Sequence, residues 1–375
     1  MVTKNSRVGR QIMEAGLIIW DEVPMQHKYC FEAVHRLLCD LRTVTDEVLF
    51  GGIPVLLGGD FAQILPVIPN GSRADVVKAC LQRSFIWSRL RRLHLRVNMR
   101  VRGGLLDEDF ITWIGRLPYD PQLYGMIPLP PYITQFKALN DLITSIYPEH
   151  VLRSVNQAHD VFTDRAILTV HNTTVLELNA LILSRFQGTL QTMLSIDTAD
   201  VNESGGNVHQ VPIEELQNAT TMKLPLSLLQ LKVGVPVMLL RNIVPQEGLC
   251  NGSRMVIISI KQHCLEVCLL GEQFYGQLRT IPRIKLQTND GDLPYILTRK
   301  QFPVRLCFAM TINKSQGQSF KLVGVDLRAA MFSHGQFYVA MSRTSSVAGL
   351  HVLLPEGDDN TTKNEVFPEV LSDIN

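Results

Sequence analysis

The sequence predicts an α/β protein built on parallel sheets, with a small all-β insertion late in the chain. Three observations predict it. Short unbroken apolar runs, Leu17-Ile18-Ile19-Trp20 and Ile53-Pro54-Val55-Leu56-Leu57, read as strands buried on both faces. Between them Phe31, Val34, Leu38 and Leu41 recur at helical spacing. From about residue 235 the pattern changes to β-rich runs at 235–240, 255–260 and 265–269, punctuated by Asn251-Gly252 and Gly271.

The elements follow in order. The first strand ends in Asp21-Glu22 and is broken by Pro24, and Gly51-Gly52 closes the helix that follows. The second strand runs into Gly58-Gly59-Asp60. Leu93-His94-Leu95 marks a third candidate strand. Pro118, Pro121, Pro128 and Pro130 mark a wrapped connection and a domain boundary. Residues 166–170 read as another strand, followed by Asn172 and a helix carrying Val175, Leu178 and Ile182. Helix-plus-strand character returns after Phe302. The end of the chain, with Glu356, Asp358, Asp359, Glu365, Glu369 and Asp373, reads as a solvated, loosely ordered acidic tail. The expected division is a first domain over 1–125, a second over 126–234 and 301–355, the β insertion over 235–300, and the tail over 356–375.

Of the 375 residues, 46% are hydrophobic and 19% charged, and the formal net charge is +1. No globally basic field steers binding, so any nucleic-acid surface must be a local groove. The seven cysteines lack metal-knuckle spacing and read as reduced, mostly buried thiols of an intracellular protein. No apolar run approaches the roughly 20 residues of a membrane span. Residues 1–10 are polar and basic with no apolar stretch behind them, unlike a secretory signal.

Five segments carry candidate chemistry. Asp21 and Glu22 sit where acids at a strand end can order a magnesium ion's waters and polarise an attacking water; a helix N-cap fits them too. Gly58-Gly59 would let backbone approach a ligand closely, with Gln63 placed to sense a phosphate or a water; a tight turn with a solvent-facing Gln is the alternative. Arg100, in Asn98-Met99-Arg100, suits either phosphate charge or a surface ion pair. The run from Thr311 through Asn313, Lys314, Ser315, Gln316 and Gly317 to Ser319 offers hydroxyls, amides and backbone N–H groups suited to a nucleic-acid backbone or a phosphate. Arg343 ends an apolar stretch, as an arginine finger does, or as a residue offsetting a helix dipole does.

Taken in order, these segments resemble the Pif (petite-integration-frequency) family of ATP-dependent DNA helicases, in the form found in eukaryotic genomes and Helitron transposons. The resemblance runs from LIIWDEVPM and FEAVHRLLCDLR through FGGIPVLLGGDFAQILPVIPNGSRAD and LRVNMR. It continues in LKVGVPVMLLRNIVPQEGLCNGSRMVI, FPVRLCFAMTINKSQGQSF and FYVAMSRTSS, covering about 17–355.

It implies two RecA-like motor domains of helicase superfamily one, the first incomplete, with a small β-barrel in the second. It implies Asp21 and Glu22 as the Walker B pair, Asp21 holding Mg2+, and Gln63 as the γ-phosphate sensor. Arg100 and Arg343 become the arginines that reach the nucleotide. Gly59, Gln316 and Gly317 belong with the ATP site, and Thr311, Asn313, Lys314 and Ser315 with DNA. The implied partners are single-stranded DNA and DNA junctions, with no membrane and a monomeric motor moving 5′ to 3′. The implied settings are repair, recombination, telomere maintenance or transposition, in the nucleus or, second, the mitochondrion.

One departure stands out. The chain contains no Gly-Lys dipeptide, and 20 residues precede Asp21. The expectation is a chain cut before the Walker A loop, with little hydrolysis of its own and an unpaired edge beside residues 53–57. Val23 also stands where the family has a small residue. The competing expectations are a single-strand-binding fragment that does not hydrolyse ATP, and an unstable fragment.

Overall fold

The computed structural model describes residues 2–95, 105–153, 158–200, 211–219, 224–288, 293–357 and 360–372. They fall into two compact units. One holds Met1–Pro130, Ala330–Ser345 and Asp359–Asn375; the other holds Pro131–Ala329 and Ser346–Asp358.

In the first unit the two apolar runs form the parallel strands Ile18–Trp20 and Val55–Leu57, in register from Ile18 opposite Val55 to Trp20 opposite Leu57. Parallel strands need a crossover, and the helix Lys28–Arg42 supplies it. His27 caps its start, Nδ1 accepting the Tyr29 N–H at 3.1 Å, and Thr43 ends it in the left-handed region at φ 56°. The face Phe31, His35, Leu38, Leu41 is buried, packing with Val23, Phe50, Ile53, Leu81 and Ile86. Each large side chain so buried contributes about 1.5–3 kcal/mol. Gly51, at φ 62°, lets the chain pass the Leu38 carbonyl; an added Cβ would lie 2.5 Å from that oxygen. His35 Nδ1 accepts the Phe50 N–H at 3.0 Å, tying this turn to the helix.

Three expectations change here. The strand pair is not buried on both faces: Ile19 is 68% and Leu56 51% exposed, because the helix covers only one side. Leu93-His94-Leu95 is not a strand; Leu93 and Leu95 are exposed coil. Asn98, Met99 and Arg100 lie outside the described residues.

The acidic tail is not a loose end. Thr361–Asn364 pairs antiparallel with Gly125–Pro128, and Pro368–Leu371 is helical. Val366, Phe367, Val370 and Leu371 are buried with Phe61, Leu65 and Cys80. Asn364 Nδ2 donates to the carbonyls of Leu117 (2.9 Å) and Leu123 (2.6 Å), and Arg73 makes a two-pronged contact with Glu369. The acids decorate an apolar return of the chain. Residues 330–345, expected with the second domain, pack with this first unit.

The second unit is built on a five-stranded sheet, all parallel, in the order Ala309–Thr311, Arg165–Thr169, Leu322–Asp326, Leu350–Leu353, Thr134–Phe136. The predicted helix forms as Asn172–Arg185 and buries Val175, Leu178 and Ile182. From it Asn179 clamps the edge strand: Nδ2 donates to the Ala309 carbonyl (3.0 Å) and Oδ1 accepts the Ala309 N–H (2.9 Å).

The β insertion exists but is wider than 235–300. Its five-stranded antiparallel sheet runs Leu278–Pro282, Cys264–Leu269, Arg254–Ile260, Pro236–Leu239, Val304–Leu306. A three-stranded sheet adds Ile284–Gln287, Ile296–Gln301 and the distant Ile196–Asp200. Arg299 fixes that distant pairing. It meets Asp197 at 2.8 Å and donates to the carbonyls of Pro225 and Leu216, with both charged side chains under 5% exposed. Arg254 similarly ties the inserted antiparallel sheet to the parallel sheet through the carbonyls of Phe162, Thr163 and Arg165.

None of the seven cysteines is in a disulfide, and four are buried. Among the described residues no helix is long and apolar enough to cross a membrane.

Candidate active site

At the C-terminal ends of the two parallel strands the backbone stitches the loops together. Gly58 N–H donates to the Trp20 carbonyl (2.9 Å), and Val23 N–H donates to the Gly58 carbonyl (3.0 Å). Asp21 is exposed there, and its Oδ1 accepts the Glu22 N–H at 2.9 Å. Glu22 occupies the left-handed region, φ 53° and ψ 41°, which a Glu adopts only where its surroundings hold it. Gly58 leaves room beside the Asp21 carboxylate; a Cβ on it would stand 3.1 Å from Oδ1. Gly59 faces the Pro24 ring, 2.3 Å from where its Cβ would be.

The next turn is held by Asp60. Its Oδ1 accepts the Ala62 N–H (2.9 Å), and its backbone carbonyl accepts the Gln63 N–H (3.0 Å). Its Oδ2 accepts the Tyr338 hydroxyl at 3.1 Å. Tyr338 lies on the short helix Gln336–Met341, and Arg343 stands two residues beyond that helix. Arg343 is 3% exposed, with Nε donating to the Val339 carbonyl and Nη2 to Ser342 Oγ, both at 2.9 Å.

These groups share one electrostatic field. Burial, and next the Asp21 charge, raise the Glu22 carboxyl above the usual glutamate value; the Arg343 guanidinium opposes this and Asp60 adds to it. A carboxyl poised upward is better suited to take a proton near neutrality. Burial and the Asp60 charge push the Tyr338 hydroxyl well above an ordinary tyrosine, so it remains a donor.

The first unit therefore brings together Asp21, Glu22, Gly59, Gln63 and Arg343. Arg100 lies outside the described residues. Thr311, Asn313, Lys314, Ser315, Gln316 and Gly317 form one turn in the second unit. There Thr311 ends the edge strand, Ile312–Ser315 is a 3-10 turn, and Gly317 takes φ 72°. Ser315 Oγ donates to the Ile312 carbonyl (2.7 Å) and Gln318 Nε2 to the Lys314 carbonyl (3.0 Å), leaving the Lys314 side chain exposed. An apolar cavity of about 460 Å³, lined by Leu176, Leu183, Leu228 and Arg305 among others, lies elsewhere in that unit and contains none of these residues.

Sequence reasoning missed Asp60, His334, Gly335 and Tyr338 as parts of the site. Asp60 stood in the quoted Gly-Gly-Asp run, but its partner lies 278 residues later, and no local pattern joins them.

Carboxylates and glycine turns, with a guanidinium in the same field, place the chain among α/β proteins whose site lies at the C-terminal ends of parallel strands. Comparison with known proteins narrows this. The family model described as PIF1-like helicase matches residues 1–117, and that of the DNA helicase Pif1 2B domain matches 215–260. The ATP-dependent DNA helicase PIF1 of Danio rerio is 27% identical over 343 residues, covering 90% of this chain and 46% of the relative. Over these segments the chain is similar to PIF1-like helicases, and it spans about half the length of the curated relatives it matches.

Two solved structures share the fold. The Pif1 helicase crystal structure from Candida albicans has a TM-score of 0.65 and 23% identity, over 98% of this chain and 78% of that one. The Bacteroides Pif1 helicase in complex with ADP-AlF3 and ssDNA has a TM-score of 0.63 and 18% identity, over 97% and 81%.

Proposed function

We propose that this chain forms part of an ATP-dependent DNA helicase that moves 5′ to 3′ on single-stranded DNA. The observation that carries the reading is the Asp21-Glu22 pair at the end of the strand Ile18–Trp20, with the neighbouring Asp60 turn tied through Tyr338 at 3.1 Å to the segment carrying Arg343. Names of relatives support it: the Danio rerio protein is called an ATP-dependent DNA helicase, and the Bacteroides protein is seen with ADP-AlF3 and ssDNA.

The residues present fit a magnesium ion. Asp21 offers an exposed hard oxygen donor, which suits Mg2+ held through few carboxylates and several waters. Gly58 keeps space open beside that oxygen. Bound MgATP would supply the phosphoryl group to be transferred. Asp21 would hold the metal's water shell, Glu22 would take the proton of an attacking water, and Gln63 would sense the terminal phosphate with Gly59 beside it. Arg343 and Arg100 offset phosphate charge. Thr311, Asn313, Lys314 and Ser315 contact the DNA backbone, and Gln316 and Gly317 couple that contact to the nucleotide. We assign the activity to repair, recombination, telomere maintenance or transposition, on single strands and junctions, by a monomer in the nucleus or, second, the mitochondrion.

A second reading, single-strand binding without hydrolysis, is favoured by one fact: the 375 residues contain no Gly-Lys pair of the kind that holds phosphates. One experiment separates the two. ATP turnover and fluorescence anisotropy are measured on the purified chain with a labelled oligonucleotide across a salt series. Magnesium-dependent, DNA-stimulated turnover supports the first reading. Salt-dependent binding indifferent to ATP supports the second. Neither turnover nor binding would remove both.

A further inference from the structure

The turn bearing Gln63 and the segment bearing Arg343 are joined by three contacts that the proposed chemistry does not itself use. Tyr338 donates to Asp60 Oδ2 at 3.1 Å. His334, fully buried, places Nε2 2.8 Å from the Phe61 carbonyl and Nδ1 2.8 Å from the Phe367 N–H. Gly335, at φ 72°, passes so close that an added Cβ would lie 2.4 Å from the Ala62 carbonyl.

The His334 partners dictate its state. A carbonyl only accepts, so Nε2 carries the hydrogen. A backbone N–H only donates, so Nδ1 must keep its lone pair. One neutral tautomer satisfies both, and a second proton would set N–H against N–H. Burial lowers its affinity for that proton. The charged groups facing it are Asp60 from the turn, Arg73 from the helix Arg73–Ala79, and Glu369 from the C-terminal return; the two acids raise its affinity and Arg73 lowers it.

We propose that Tyr338 and His334 are positioning residues: together they lock the Asp60-to-Gln63 turn to the segment carrying Arg343, so that sensor and arginine are set as one body. The inference rests on the roles assigned above to Gln63 and Arg343. Removing the Tyr338 hydroxyl frees Asp60 Oδ2 and loosens both sides. Protonating His334 releases Phe367 and loosens them again.

Hydrogen exchange by mass spectrometry on the full chain tests this without requiring turnover. In Tyr338→Phe, peptides covering residues 58–63 and 336–343 are expected to exchange about tenfold faster, the loss of one hydrogen bond to a charged acceptor. The helix Asn172–Arg185 stays unchanged. In the unsubstituted chain both segments lose protection together only as pH falls below the ordinary histidine value of about 6.5, after correction for intrinsic rates. His334→Gln abolishes that pH step. Titration of a nonhydrolysable ATP analogue with magnesium should then protect both segments together, but not in Tyr338→Phe. The proposal is overturned if Tyr338→Phe loosens only 336–343, if every peptide loosens alike, or if the pH step survives His334→Gln. A chain that bound no nucleotide would sink the proposed function while the exchange and pH results still decided the lock.

Discussion

The Arg299 guanidinium meets the Asp197 carboxylate at 2.8 Å, side-on, with both side chains almost wholly buried. The pair joins two strands about 100 residues apart in sequence, and two backbone carbonyls take Arg299's remaining donors. Arg299→Ala leaves a buried, unpaired carboxylate and is expected to cost about 3–5 kcal/mol. Urea unfolding followed by circular dichroism measures it. An unchanged midpoint would mean that water reaches Asp197. Replacing both residues by apolar ones of similar volume should cost far less.

Glu22 gives a pH dependence with a definite sign. Its carboxyl is raised in the folded chain, first by burial and then by Asp21, so the folded chain binds that proton more tightly than the unfolded one. The associated stability is full below the unfolded glutamate value and is lost as pH rises through the folded value. Glu22→Gln should therefore melt higher than the parent near about pH 8 and no higher near about pH 3.5. If the proposed chemistry holds, the same substitution lowers DNA-stimulated turnover about 10²–10⁴-fold. Thermal melts at the two pH values and a turnover assay check the two halves separately.

If the proposed function holds, Arg343→Ala is expected to reduce turnover by about 10³-fold or more while leaving single-strand affinity within about twofold. It should also raise the Glu22 carboxyl further, since Arg343 is what opposes the increase. Persisting turnover in the variant would end the assignment of Arg343 to the nucleotide.

Ending the chain after Gly357 strips Val366, Phe367, Val370 and Leu371 from their cluster with Phe61, Leu65 and Cys80. At about 1.5–3 kcal/mol for each buried side chain, the loss rivals a domain's whole stability. The first unit should become protease-sensitive along 58–90 while Pro131–Ala329 stays resistant. Equal resistance in both forms would show the C-terminal return to be dispensable.

Local signals made part of this legible. The strand Ile18–Trp20 and the helix Lys28–Arg42 follow from runs and periods within a few dozen residues. In the second unit the strand Arg165–Thr169 read as an apolar stretch for the same reason, while Thr134–Phe136, Leu322–Asp326 and Leu350–Leu353 were not read as strands. Pairings across long separations were not legible: Ile196–Asp200 joins a three-stranded sheet through a partner strand beginning at Ile296, and nothing local marks it. The return of the chain was misread because its acids were counted and its apolar residues were not. Glu365 and Glu369 point outward to Lys363 and Arg73, while Val366, Phe367 and Val370 between them turn inward. The alternation Leu93-His94-Leu95 suggested a strand, yet those residues are exposed coil; alternation records what a strand could bury, not that a neighbour is there to bury it.

The first unit is completed by residues 330–345 and 360–372, and about 200 residues of the second unit are threaded between them and Pro130. A ribosome making this chain releases the amino-terminal segments long before their last partners emerge. Until then the groove that receives Phe367 stays open, and loop closure over that span is slow. Assembly of the acid-bearing half must therefore wait until residues 360–372 have emerged, whereas the interposed half is complete once Leu350–Leu353 has joined its sheet between Leu322–Asp326 and Thr134–Phe136. Of the two, the half holding Asp21 and Glu22 is the one a nascent-chain chaperone would have to guard.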